Sequence, residues 1–328
     1  NDSVALNDSA AMLPRLACCA LALSLLMGCQ TATDAPPAPV VPASTVASVD
    51  GALPADVRLD DSTRAVFRAL LNRAEAGDWQ ALPMGDLVTA VGEAFVGTPY
   101  VDGLLDAAED ETLVLNLRAF DCVLYVENVL ALAHGVAVGD TTFAGFAARL
   151  EALRYRGGQR DGYASRLHYF SDWLRDNAAR DHVRLVTDDL PGVEAYPKRI
   201  AFMTAHRESY AKLAPDTPRA DSLLAALGDA EARRNAAPGL TYLPQERIAD
   251  AYAALQTGDV LASTTSIDGL VVTHTGFVVK LEGGATGFLH ASSTGAVKVA
   301  PDLAAYVEGN RVQTGLLVAR PVDPRTDS

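Results

Sequence analysis

Cys122, in Phe120-Asp121-Cys122-Val123, is the residue of this chain best placed to act as a nucleophile. It stands at the start of a helical pattern that runs to about His134, with Asp121 positioned as the cap and Gly135 as a stop signal. A thiol in the first turn of a helix feels unsatisfied backbone N–H groups and the positive end of the dipole, and both favour the thiolate. The Asp121 charge opposes that effect, so activation calls for a cationic histidine partner. The plainer reading of a lone cysteine is a small buried apolar residue. An exported chain, however, tends to pair its cysteines or lose them.

Two histidines qualify as that partner. His274 in Thr273-His274-Thr275-Gly276 and His290 in Leu289-His290-Ala291-Ser292 flank a turn near residues 282–287. Side chains alternate with period two along a strand, so pairing centred near residue 282 sets the two imidazoles opposite each other on one face. A slip of one residue separates them. A cysteine needs a base, and the base needs an orienting group on its other ring nitrogen, which a Cys, His, His set supplies. Two part-buried histidines bonded to backbone are the plain alternative. The same three side chains are also suitable zinc ligands, although the chain has no H-x-x-H or C-x-x-C pair.

The elements that must position these residues divide into two kinds. Helical spacing with charged faces marks residues 63–75, 86–96, 121–134, 142–153, 165–178 and 200–213. Short β-branched or apolar runs at 258–262, 270–281, 287–292, 297–300 and 315–320, split by turns such as Gly283-Gly284, mark strands. Helices first and an antiparallel sheet afterwards predict an α+β fold.

The N-terminal part reads as an export signal. Arg15, the apolar run 16–27 and Leu26-Met27-Gly28-Cys29 form a bacterial lipobox, too short and abruptly ended for a transmembrane helix of about 20 residues. Residues 1–28 are therefore expected to be an upstream extension and signal peptide, with Cys18 and Cys19 removed and Cys29 lipidated. Residues 29–60, rich in Ala and Pro, then form a tether. A domain over residues 61–322 and a tail over 323–328 complete the expected organisation. Gln30 after the lipidated cysteine resembles the sorting pattern of outer-membrane lipoproteins, which implies the periplasmic face of that membrane. The formal charge of −14 becomes −13 once Asp2, Asp8 and Arg15 leave. Such a surface argues against nucleic acid and against charge-driven binding to anionic lipid, leaving the lipid on Cys29 as the membrane contact.

Gly97-Thr98-Pro99-Tyr100, Phe120-Asp121-Cys122, Thr273-His274-Thr275-Gly276 and His290-Ala291-Ser292 resemble the NlpC/P60 superfamily of papain-like cysteine peptidases. Tyr155-Arg156-Gly157-Gly158, Tyr163-Ala164-Ser165-Arg166-Leu167-His168-Tyr169, Asp172-Trp173 and Phe202-Met203 extend the resemblance to its DUF1460 branch, the N-acetylmuramoyl-L-alanine amidase-like proteins. It spans about residues 64–321. Leu124 departs from it, since the branch usually has Thr there.

The resemblance implies a papain-like fold, Cys122 as nucleophile, His274 as general base and acid, and His290 as the group that orients it. Tyr100 would lie near the nucleophile and help bind the oxyanion. The implied substrate is peptidoglycan or a muropeptide, with no cofactor and no metal, and the implied reaction is hydrolysis of the muramoyl-L-Ala amide. A γ-D-Glu-diaminopimelate endopeptidase is the alternative, and a non-catalytic or metal-binding wall lipoprotein is a second. The middle block is expected to build the groove. Arg156 and Arg166 would grip stem-peptide carboxylates, and Tyr163, Tyr169 and Trp173 would stack on sugar or peptide beside His168. Arg166, His168 and Asp172 also have helical spacing, so a local ion pair is the structural alternative.

Overall fold

The computed structural model describes residues 57–217 and 219–326. The expected signal peptide, the lipidation site Cys29 and the tether up to residue 56 lie outside the described residues. The first half runs β1 (Val57–Leu59), α1 (Asp61–Ala76), α2 (Met84–Glu93), β2 (Leu113–Leu115), α3 (Cys122–Val138), α4 (Phe143–Arg154) and α5 (Phe170–Ala179). Then come β3 (Val183–Leu185), β4 (Glu194–Tyr196), α6 (Phe202–Ala205), α7 (Ala220–Ala236) and β5 (Leu240–Pro244). The last part is β6 (Val260–Thr265), β7 (Val272–Lys280), β8 (Thr286–Ala291), β9 (Val297–Ala300), α8 (Leu303–Glu308) and β10 (Gln313–Pro321). The expected α+β class is what the chain adopts.

Three of the longer helices, α1, α3 and α4, start where short polar side chains take up orphan amides. Asp60 accepts from the Thr63 amide at 2.6 Å, Asp121 from Leu124 at 2.7 Å and Thr142 from Gly145 at 2.9 Å. α3 is buried on nearly every side. A helix apolar all round belongs at the centre of a domain, and α2, α4 and β7 pack around this one. It runs past Gly135 to Val138 and stops at Gly139, in the left-handed region at φ 70°. Gly135 is needed for packing, because a Cβ there would run into the Arg149 guanidinium.

β4, β5, β10, β6, β7, β8 and β9 follow one another across an eight-stranded sheet, with β3 pairing the end of β10. The ladder from β5 through β10, β6, β7 and β8 to β9 is antiparallel throughout. One face carries Phe277 and Leu289 against α3, where Tyr125 meets Phe277 edge-on at 5.8 Å. The other carries Val278 and Phe288 against Leu303 and Val307 of α8.

Several elements differ from the sequence reading. The helix expected over 165–178 begins only at Phe170, because Leu167 donates its amide to the Arg154 carbonyl and Arg166 bridges to Tyr155. Over 200–213 only the four residues of α6 are α-helical, the Ala201 and Phe202 amides both being spent on the Gly269 carbonyl. The sequence reading contains neither α7 nor α8 and none of the strands β1 to β5. The folded region also takes in residues assigned to tether and tail. β1 pairs in parallel with β2, and the Arg325 guanidinium donates to the Gln80 and Leu82 carbonyls at 2.6 and 3.0 Å.

An ion pair lies inside the helical layer. Arg154 Nε meets Glu127 Oε2 at 2.7 Å with the two side chains 1% and 2% exposed, and Arg154 Nη1 donates to the Val114 carbonyl at 3.0 Å. Burial still pushes the Glu127 carboxyl above its ordinary range despite the guanidinium beside it. Removing one member leaves the other charged and unpaired. Arg154→Met should lower the unfolding free energy by about 3–5 kcal/mol in urea titration. A loss below about 1 kcal/mol would show that α3 and α4 do not depend on the pair.

Candidate active site

Cys122 is the first residue of α3 and is 1% exposed. It lines a narrow cleft with Val123 beside it, residues 168–171 from the entry to α5, and Leu270, Val272, His274 and Thr275 from β7 and the turn before it. The cysteine and the first histidine, 152 positions apart in the chain, thus face one space. Burial pushes the Asp121 carboxyl up to about 8, with the adjacent Cys122 charge as the next cause. Below that pH Asp121 holds a proton and its charge no longer opposes a thiolate, which softens the conflict expected from the sequence.

The strand register centres one residue beyond the expected position, which moves the partner of each histidine by two. Phe277 lies opposite Leu289 and Lys280 opposite Thr286, so β7 and β8 pair about residue 283. An even shift in partner keeps both imidazoles on one face as diagonal neighbours. His274 Nε2 lies 2.7 Å from His290 Nδ1. Gly276 makes room for this contact: a Cβ there would sit 2.8 Å from the His290 Cβ. Phe288 stacks on the His290 ring at 4.7 Å, and Tyr306 of α8 packs on it from the side at 4.7 Å. Burial, then His274, pushes the His290 pKa down to about 2, so it is a neutral ring with one acceptor nitrogen at working pH.

Tyr100 is partly buried beside the strand entry to α3. Its amide donates to the Gly295 carbonyl at 2.8 Å, it bridges Phe120, and its side chain hydrogen-bonds Asp102. Asp102 was not singled out in the sequence; it lies close enough to Cys122 for the thiolate charge to help raise its carboxyl, after burial. Its one signal is its place two residues beyond Tyr100.

The middle block enters the site differently from expectation. Arg166 is buried and pairs with Asp106 at 2.6 Å and Glu111 at 3.7 Å, and Arg156 pairs with Asp172 at 2.6 Å. The buried Arg166 guanidinium is committed to two internal acids, whereas Arg156, 30% exposed, spends one nitrogen on Asp172. Trp173 is fully buried and stacks on Phe170 at 4.8 Å, so it offers no face to a sugar. Tyr163 is buried under the Arg166 guanidinium, 4.8 Å from its ring centre. Tyr169 is also buried, although it borders the cleft, and its hydroxyl donates to Glu231. His168 does reach the cleft wall, with Nε2 2.8 Å from the Tyr163 carbonyl. Ser171, missed in the sequence because a serine beside Asp172-Trp173 carries no spacing signal, reaches it too. Among the described residues no group of three His, Cys, Asp or Glu side chains is arranged to hold a metal ion.

Residues 90–315 match the family model of the AmiA-like, N-acetylmuramoyl-L-alanine amidase-like proteins. The crystal structure of an N-acetylmuramoyl-L-alanine amidase from Bacteroides uniformis is 31% identical, with a TM-score of 0.66 over 73% of this chain and 99% of that one. A Bacteroides fragilis protein provisionally named as a xylanase is 32% identical, with a TM-score of 0.64 over 70% of this chain and 99% of that one. A Legionella pneumophila protein of the DUF1460 family is alike in fold alone, at 18% identity and TM-score 0.59 over 80% of this chain and 94% of that one. No curated protein matches the chain.

The cleft-wall histidine makes stability depend on pH in a defined direction. Burial, then Arg166, lowers the His168 pKa from 6.5 to about 3. The unfolded chain takes up that proton near pH 6.5 while the folded chain refuses it, so the contribution is full above 6.5 and is lost as pH falls towards 3. In urea titrations, the stability advantage of wild type over His168→Gln should shrink steadily from about pH 6.5 to about pH 4.5. A constant difference over that range would contradict the neutral, buried assignment.

Proposed function

The chain belongs to the AmiA-like, N-acetylmuramoyl-L-alanine amidase-like family, and from that premise we propose that it is a papain-like cysteine amidase that hydrolyses the muramoyl-L-Ala bond of peptidoglycan or its fragments. The observation that carries this reading is Cys122 at the start of α3, sharing a cleft with His274, whose Nε2 is 2.7 Å from His290 Nδ1. With His290 neutral, its Nδ1 accepts a hydrogen bond from His274 Nε2–H, which leaves His274 Nδ1 as the nitrogen that exchanges a proton with Cys122.

The chemistry then follows in two halves. The Cys122 thiolate attacks the lactyl carbonyl carbon, and the oxyanion is met by the amide at the start of α3 and by the Tyr100 hydroxyl once it turns from Asp102. The carbon–nitrogen bond breaks as the His274 imidazolium gives its proton to the departing L-Ala amine, leaving a thioester on Cys122. Water, deprotonated by His274, attacks the thioester and releases the lactyl carboxylate while the proton returns to the Cys122–His274 pair. The reading includes an envelope location, with Cys29 as the lipidated residue and the Ala/Pro-rich segment as the tether to the outer membrane.

Mass spectrometry of muropeptides after digestion should show intact stem peptides beginning with L-Ala together with peptide-free sugar. Recovery of L-Ala-D-Glu, free or still on the sugar, would instead identify a γ-D-Glu-diaminopimelate endopeptidase. Cys122→Ala and His274→Ala should each lose at least about a hundredfold in kcat with unchanged circular dichroism, and His290→Ala should lose less. Normal turnover by folded Cys122→Ala would end the proposal.

A further inference from the structure

The cleft holds a second helix start besides that of α3. α5 is ten residues long and begins at Phe170 without a side-chain cap. Asp172 and Trp173 both donate their amides to the Tyr169 carbonyl, while those of Phe170 and Ser171 have no acceptor among the described residues. Ser171 is 1% exposed, lines the cleft with Cys122 and His274, and its Oγ is buried without a hydrogen-bond partner. A buried hydroxyl without a partner and two orphan amides, all at a helix start that borders the cleft, constitute a donor set waiting for an acceptor. The positive dipole end makes an anion the preferred one. Asp172, in the same turn, would cancel that preference if left alone, but Arg156 pairs with it at 2.6 Å.

We propose that the start of α5, with the Ser171 hydroxyl and the Phe170 and Ser171 amides, is the subsite that receives the α-carboxylate of D-Glu in the stem peptide. The proposal rests on the amidase reading for the identity of the carboxylate. It adds a helix start to the grip that the sequence suggested for Arg156 and Arg166, both of which pair with internal acids. Arg156 then acts at one remove, by neutralising Asp172. Two helix starts meet at one cleft with separate tasks: α3 holds the nucleophile and α5 fixes the peptide so that the lactyl carbonyl lies over Cys122.

Two substrates that differ only at this carboxylate provide the test: MurNAc-L-Ala-D-Glu and MurNAc-L-Ala-D-isoGln, in which the α-carboxylate is an amide. Wild type should favour the carboxylate by about tenfold or more in kcat/KM, the scale of a hydrogen bond to a charged group. Ser171→Ala should lose most of that preference through KM, and Ser171→Asp should reverse it, with thermal stability of the alanine variant unchanged because Oγ has no partner to lose. Equal falls in kcat on both substrates would make Ser171 an oxyanion donor and overturn the proposal, as would unchanged kinetics.

Protection of Cys122 from iodoacetamide by L-Ala-D-Glu, compared with L-Ala-D-isoGln, separates the subsite from the reaction. If neither muropeptide is cleaved but L-Ala-D-Glu protects and Ser171→Ala abolishes protection, the subsite stands and the amidase reading falls. If both are cleaved without discrimination and neither dipeptide protects better, the amidase reading stands and the subsite falls.

Discussion

Asp121 accepts a hydrogen bond from the Leu124 amide at 2.7 Å, and that bond fixes where α3 begins. Because the helix is buried on nearly every side, its start is also a fixed point of the domain. Cys122 therefore sits in the first turn by the same interaction that starts the helix, and its place does not depend on a mobile loop. α4 locks the helix from one side through Glu127 and Arg154, and β7 locks it from the other through Tyr125 and Phe277. β7 also carries His274, so the strand that packs on α3 brings that imidazole to the cleft that Cys122 lines.

Burial sets the charge states around them. His290 and His168 are held neutral, and the Asp121 carboxyl is pushed up to about 8. Each group alone is less comfortable in the fold than in water when charged. Together they leave the region around Cys122 with few fixed charges of its own, so that a thiolate and an imidazolium are the strongest charges that can form there. A neutral His290 can accept from His274, whereas a charged one could only repel it.

The placement of the candidate residues was more legible in the sequence than the scaffold around them. Cys122, its capping Asp121 and the two histidines were readable because each rests on a local rule: a cap, an alternating strand, a turn between two strands. Those rules tolerated an error of detail, since pairing about residue 283 in place of 282 leaves both rings on one face. The groove was misread because it depends on partners far away in the chain. Arg166 reaches back 60 residues to Asp106, and nothing in its own neighbourhood announces that. Trp173 and Tyr163 look like binding aromatics in sequence yet are core in the fold. α7 escaped notice because its buried side includes Glu231 and Arg234, which break the apolar stripe. Gly135 resembled a helix stop, and only the Arg149 guanidinium packed against it shows why a glycine is there.

The central claim is that Cys122 is held as a reactive nucleophile by the start of α3 and by His274. Its most direct test is the rate of Cys122 alkylation by iodoacetamide as a function of pH, in wild type and in His274→Ala. The account predicts rapid reaction at mildly acidic pH in wild type, well below the roughly 8.5 at which an unperturbed thiol ionises, and loss of that reactivity in the variant. A wild-type profile that rises only near 8.5 and is unchanged by His274→Ala would contradict it, leaving Cys122 as a buried structural residue.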